Sequence, residues 1–247
     1  MEHWEPPVRK GTPAATFFGQ AGFVFTLADG TTVGVDLYLS DCCWRYFGFK
    51  RLMPYLVSPQ ALELDYLIAT HAHYDHFDPD AVPLLMANGR TRLLCAQDVR
   101  PEAERLHLEA ERIAYLSVGD RFEAGGLSVT AVPCDHGEEA PDAIGLLLAF
   151  DGRRVYITGD TAFRPDTFAD PELQGTDMAI LPINGAFGNM NEAQGAQAAA
   201  LLGAKLTVPC HFWNFAEHGG DPARFCEAAQ ALGCAYRLLR PGETITL

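Results

Sequence analysis

The sequence predicts an α/β fold with sheets covered by helices, and three observations carry that expectation. Apolar runs of strand length recur along the chain. Helix signals with definable starts and stops fall between them. One apolar run, Asp65–Ala69, leads straight into Thr70-His71-Ala72-His73-Tyr74-Asp75-His76-Phe77-Asp78, so a polar cluster sits at a strand's carboxyl end, where α/β folds keep their chemistry. No repeat, low-complexity tract or linker interrupts the chain, and residues 1–247 are expected to form one domain.

Taken in order, Phe17-Phe18, Phe23–Phe25 and Val33–Asp36 read as strands, with Ala28-Asp29-Gly30 as a hairpin turn. Residues 38–60 read as a long aromatic loop. A helix is expected over 80–88, with Pro83 near its start, a strand over 92–95 and a helix over 98–110. Strands follow over 112–117, 121–124, 127–133, 143–150 and 153–159, the last two joined by Asp151-Gly152, and Met178–Leu181 is a further buried strand. Asn191-Glu192-Ala193-Gln194 is a helix start with a capping box, and Gly203 its stop. Asp221-Pro222 starts the next helix and Gly233 ends it; strands near 206–209, 236–239 and 243–247 complete the pattern.

Hydrophobic residues make up 48% and charged residues 20%, which fits a soluble globular protein rather than a disordered one. A formal net charge of -14 argues against a general nucleic-acid surface, which needs a basic face. It is compatible with an anionic substrate, because two bound dications would make a site locally positive. Seven cysteines without a Cys-x-x-Cys pair argue against a disulfide framework. Met1–Pro7 has no apolar signal core and no apolar run is long enough to span a membrane. A cytoplasmic protein is expected, and a homo-oligomer is compatible with this reading.

In the central cluster, His71 and His73 point to one side of an extended or tightly turned segment. Asp75 and His76 come one turn later and face a second position, which suits two metal ions better than one. Three later segments each place a histidine or aspartate after a strand: Cys134-Asp135-His136, Gly159-Asp160-Thr161 and Cys210-His211-Phe212. Alone, a strand-end aspartate before threonine is more often a turn, and a histidine among aromatics more often a core residue. Beside the cluster they become candidate ligands. Cys134 and Cys210 read as core; His107 and His218 read as surface residues, and His3 as mobile.

Five motifs taken together, Val35-Asp36, His71-x-His73-x-Asp75-His76, His136, Asp160 and His211, resemble the metallo-β-lactamase superfamily in order and span nearly the whole chain. The resemblance implies a four-layer αββα sandwich. It implies one metal on His71, His73 and His136, a second on Asp75, His76 and His211, Asp160 bridging, and Asp36 supporting the histidines. Gly48–Pro54, Leu181-Pro182-Ile183-Asn184-Gly185, Asn189-Met190-Asn191 and Pro209–Phe215 further resemble the L-ascorbate-6-phosphate lactonase-like branch. Imidazole and carboxylate ligands accommodate zinc, manganese or iron.

The expected activity is hydrolysis of a lactone or other ester-like small molecule, phosphorylated or otherwise anionic, with Asp75 handling the nucleophile's proton. A phosphodiesterase of the same fold, a di-iron oxygen-reducing enzyme and a non-catalytic metal-binding module are the alternatives. Superfamily members of the di-iron type resemble chains with an attached flavin domain, which does not fit here. Loop 38–58 precedes the strand that delivers His71 and holds Arg45, Lys50 and Arg51. Arg51 is the expected anion contact, with pairing to Glu63 or Asp65 as the equal alternative, and Asn184 the next candidate. The aromatics of this loop are expected to pack on the core as a flap.

Overall fold

The computed structural model describes Trp4, Glu5 and residues 8–247. The expectation for His3 lies outside these residues, as does most of the Met1–Pro7 stretch. Along the chain run β1 (Ala14–Gly19), β2 (Gly22–Thr26), β3 (Thr32–Val35), α1 (Cys42–Phe47), β4 (Tyr66–Ala69), α2 (Val82–Met86), β5 (Arg92–Ala96), α3 (Arg100–Arg105) and β6 (Ile113–Leu116). Then follow β7 (Arg121–Ala124), β8 (Leu127–Pro133), β9 (Ile144–Phe150), β10 (Arg153–Ile157), α4 (Pro165–Phe168), β11 (Met178–Pro182), α5 (Glu192–Leu202), β12 (Thr207–Cys210), α6 (Pro222–Ala231) and β13 (Thr244–Thr246).

The chain divides into two compact units, the described part of Met1–Leu116 with Arg240–Leu247, and Ser117–Leu239. The first holds a seven-stranded sheet in the order β13-β1-β2-β3-β4-β5-β6. Its hairpin strands β1, β2 and β3 pair antiparallel, and β3 through β6 pair in parallel. The parallel half needs crossovers, and α2 and α3 lie in two of them. Val82, Leu85 and Met86 of α2 join Leu67, Phe77, Leu93 and Val99 in one buried cluster. β3 and β4 run the same way, so the residues that follow them, Asp36 and Thr70, leave the sheet at the same end.

The second unit holds a six-stranded sheet in the order β12-β11-β10-β9-β8-β7. β10, β11 and β12 are parallel, while β7 to β10 alternate. β8 therefore points the same way as β10, β11 and β12. His136, Asp160, Asn184 and His211, each following one of these strands, all leave by the carboxyl ends. The capping box at Asn191 and Gln194 forms, and Gly203 closes α5 at φ +56. The buried face of α5 is built of small residues, including Gly195, Ala196 and Ala199, above Leu181, Ile183 and Phe225. Complete burial of Phe225 contributes about 1.5–3 kcal/mol.

The differences from expectation have local causes. The helix expected over 98–110 shrinks to α3, flanked by 3-10 turns at Gln97–Val99 and Ala110–Arg112, because Pro101 starts it late and His107 takes φ +52. No strand forms over 236–239; pairing stops at a single bridge between Thr207 and Tyr236, where Pro209 of β12 has no N–H to extend a ladder. Residues 38–60 contain α1 and a 3-10 turn at Pro59–Ala61 rather than loop throughout.

Candidate metal centre

In the first unit, Asp36 organises the donors. It is fully buried and takes φ +48, a left-handed conformation aspartate tolerates better than most residues. Its Oδ1 accepts the Thr70 N–H at 2.8 Å, and its Oδ2 accepts the Thr70 hydroxyl at 2.8 Å. Oδ2 also lies 2.9 Å from His76 Nδ1. A carboxylate only accepts, so the single Thr70 hydroxyl hydrogen is spent on Asp36. The 3.1 Å contact between Thr70 Oγ1 and His71 Nδ1 is then an Nδ1–H donation. The 2.9 Å contact fixes His76 Nδ1–H in the same way. Both rings are left with a lone pair on Nε2, the form a metal requires.

The donors lie close together. His71 Nε2 is 3.0 Å from His73 Nδ1, close to the roughly 3.3 Å between two nitrogens on one tetrahedral zinc at about 2.0–2.1 Å. His76 Nε2 is 3.7 Å from Asp75 Oδ2, which also accepts Gln20 Nε2 at 2.7 Å. Gln20 was not legible in the sequence; it stands in a turn between two strands, far from the motif. The donor chemistry fits divalent metal.

In the second unit, Asp160 is the centre. Its Oδ2 lies 3.0 Å from His211 Nε2, 4.0 Å from His136 Nε2 and 2.8 Å from Asn189 Nδ2, which donates to it. The loop around it is cross-braced. The Cys134 thiol donates to the Asp160 carbonyl at 3.0 Å, Asp135 N donates to Thr161 Oγ1 at 3.0 Å, and Met190 N donates to Thr161 O at 3.0 Å. Arg164 binds Asp135, and that guanidinium holds the Asp135 carboxyl below the usual range. His211 and Trp213 both take φ +59, so the chain turns sharply as it leaves β12. Cys210 is buried, as expected, and all seven cysteines are free thiols.

His218 departs from the surface reading. It is 8% exposed, and its ring stacks on His211 with centroids 4.8 Å apart and planes 8° from parallel. The signal was the following Gly219-Gly220. A β-carbon at 219 would come 2.6 Å from Asn184 O, and one at 220 would come 2.8 Å from Phe212 Cβ. Glycine here permits a close approach of two backbones.

Of the substrate candidates, Arg51 donates Nη2 to the carbonyls of Tyr38 and Ser40 at 2.8 and 3.0 Å, and its guanidinium lies 4.0 Å from the Tyr38 ring centroid. The alternative partners are engaged elsewhere: Glu63 pairs with Arg90, and Asp65 accepts from Thr32. Arg45 pairs with Asp80, leaving Lys50 as an exposed cation of that loop. Asn184 is buried, its Nδ2 donates to Ala186 O at 3.3 Å, and its Oδ1 has no partner. The aromatic flap does not pack down: Trp44, Tyr46, Phe47 and Tyr55 are all more than half exposed, at 52 to 57%.

The Beta-lactamase superfamily domain matches residues 37–212. A UPF0173 metal-dependent hydrolase from Opitutus terrae is 31% identical over 249 residues, covering 93% of this chain and 98% of the relative. The chain belongs to the UPF0173 metal-dependent hydrolase family of the metallo-β-lactamase superfamily. Its similarity to the Rubrobacter xylanophilus UPF0173 metal-dependent hydrolase is 29% over 248 residues, covering 95% of this chain and 97% of the other. Igni18, a metallo hydrolase of Ignicoccus hospitalis, has the same fold at a TM-score of 0.75 and 24% identity, covering 96% of this chain and 98% of that one. This UPF0173 member thus has the metallo-β-lactamase fold, α/β with two sheets, and is a metal-dependent hydrolase. No helix among the described residues is long and apolar enough to cross a membrane.

Proposed function

We propose that the two donor clusters serve one dinuclear centre in a single functional domain, 1–247, hydrolysing a lactone or other ester-like small molecule. On the superfamily resemblance, His71, His73 and His136 would hold one ion and Asp75, His76 and His211 the other, with Asp160 as a further carboxylate donor. Family membership and the superfamily order of the motifs support this assignment, and the prepared Nε2 lone pairs of His71 and His76 are the observation that carries it. The donors suit zinc or manganese, with iron the third choice.

When bound, the ions supply Lewis acidity and activate water at neutral pH. The protein's own residues do the rest. Asp36 keeps the His76 proton on Nδ1. Asp75 takes the proton of the attacking water on Oδ2, where Gln20 Nε2 holds the carboxylate in place. Asn189 steadies Asp160 through Oδ2. Asn184 Oδ1 is an acceptor for a substrate N–H or O–H. Arg51, with Nη2 on two backbone carbonyls and Nε buried, has Nη1 for an anionic group, and Lys50 adds charge in the same loop. Seven free thiols support a cytoplasmic setting.

The test is metal analysis of freshly purified protein, then turnover of lactones, thioesters and phosphodiesters with the native metal restored. Lactone turnover that disappears together with bound metal in His71→Ala and His73→Ala is expected. Preference for phosphodiesters would replace the lactone reading. Full metal content in those variants would remove the ligand assignment.

A further inference from the structure

Among the described residues six aromatic side chains are exposed: Trp44, Tyr46, Phe47, Tyr55, Phe187 and Trp213. Scattered exposed rings are ordinary, but these are not scattered. Within the first unit all four lie on α1 or shortly after it. The Tyr46 ring meets the Tyr74 ring edge-on at 5.0 Å, and the Phe47 ring lies 5.5 Å from it. Tyr74 stands between His73 and Asp75, so this apolar shelf starts at the donor cluster itself.

The shelf is rigidly mounted. Asp78, at the end of the motif, accepts the backbone N–H of Leu39 and Ser40 at 2.9 and 2.8 Å and the Ser40 hydroxyl at 2.7 Å. The Cys42 thiol donates to the Tyr74 carbonyl at 3.4 Å, and Tyr74 Oη donates to Glu102 at 3.1 Å. The rings stay in water although the segment beneath them is fixed. The second unit, taken by itself, repeats the pattern. Phe187 lies 5.2 Å from the His218 ring, Trp213 follows His211 by two residues, and both take positive φ, +53 and +59. Bulky residues in that region are strained, and strain of this kind gathers at ligand sites.

We infer that the substrate carries an apolar group, an acyl chain or an aromatic ring, which lies on Trp44, Tyr46 and Phe47 beside Tyr74 while its ester-like bond is hydrolysed. The inference rests on the hydrolase reading and names its substrate class. A bilayer surface fits less well, because membrane-binding aromatics come with clustered basic residues, whereas here Arg45 is paired with Asp80, Arg51 is engaged by backbone carbonyls, and Lys50 stands in a chain of net charge -14.

The experiment is calorimetric titration of metal-replete protein with acetohydroxamate, butyrohydroxamate and octanohydroxamate, in parallel with turnover of p-nitrophenyl acetate and octanoate. The hydroxamate head reports the metal, and the chain reports the shelf. A fully buried methylene is worth about fourfold in affinity. Octanohydroxamate is expected to bind at least about thirtyfold tighter than acetohydroxamate, and that ratio should fall below about threefold in Phe47→Ser and Trp44→Ser but survive in Phe47→Leu. Both serine changes are at exposed positions, and an unchanged melting temperature checks that they fold. A flat chain-length response in wild type overturns the inference. So does co-sedimentation with phosphatidylcholine vesicles that Phe47→Ser abolishes, or a solution mass that halves in Phe47→Ser. Chain-length-dependent binding without ester turnover would sink the ester-like substrate reading and leave the shelf standing.

Discussion

Asp36 Oδ2 lies 2.9 Å from His76 Nδ1 and also accepts the Thr70 hydroxyl, so one buried carboxylate sets the proton positions of two histidines that sit after a different strand. His76 is set directly, and His71 through Thr70.

Asp36→Asn keeps the shape and loses that control. The amide needs a partner for its own N–H, and one of Thr70 or His76 is left facing it donor to donor. Metal affinity should fall about 10- to 100-fold, the usual effect of losing such a supporting partner. Competition with a chromophoric chelator measures it, while circular dichroism should remain that of wild type. An unchanged affinity would mean that Asp36 only anchors the backbone of Thr70.

Metal removal should lower the melting temperature. Ligand linkage adds about 2.7 kcal/mol when free metal is a hundred times its dissociation constant. Without it, Asp75 and His76 lie 3.7 Å apart with no shared ion, and Asp160 faces two imidazoles within 4.0 Å. Scanning calorimetry before and after chelation checks this, with metal content assayed in both samples. Equal melting temperatures with metal demonstrably gone would contradict the coupling.

His218 should matter through its ring face. A parallel stack of this kind contributes about 0.5–1.5 kcal/mol, so His218→Ala should release metal to a chelator about 2- to 10-fold faster. His218→Phe keeps a flat ring over His211 and should restore slow release. Failure of both variants alike would point to a polar role for His218 in place of stacking.

Gly195→Ala tests the packing of α5. Alanine gains about 1 kcal/mol in helix propensity. Its β-carbon would, however, come 2.9 Å from Ile183 Cγ2 and 3.1 Å from Leu181 Cδ1. Overpacking of a core costs about 1–3 kcal/mol, so the balance is destabilising. A melting temperature lower by about 2–4 °C is expected from a net loss near 1 kcal/mol. A rise would show that β11 yields at this contact.

The sequence was most informative where chemistry and local structure coincide. The proposed ligand histidines and aspartates stand directly after apolar runs, and both long helices carry their caps as Asn191, Gly203 and Asp221. It was least informative where distant segments meet. Gln20 reaches Asp75 from a turn between β1 and β2, and nothing in its neighbours signals that contact. His218 looked like a loop residue because its burial comes from the rings of Phe187, His211 and Phe215, and only the paired glycines hinted at a close approach there. The aromatic run 44–55 was misread for the opposite reason: hydrophobicity predicts burial on average, and here the rings of Trp44 and Phe47 stay exposed.

The chain passes out of the first unit after Leu116 and returns to it at Arg240, where β13 pairs with β1 and Thr16 Oγ1 meets Thr244 Oγ1 at 2.8 Å. The second unit is therefore an insertion held at both ends, not an appended module. A single backbone cut at either crossing leaves the pieces joined through the other. While the first unit stays folded, unfolding of the second releases a closed loop rather than a free tail, and the chain gains correspondingly less entropy. Two covalent tethers thus make local loss of the His136, Asp160 and His211 cluster harder to reach than loss of the same residues from a chain tied at one end.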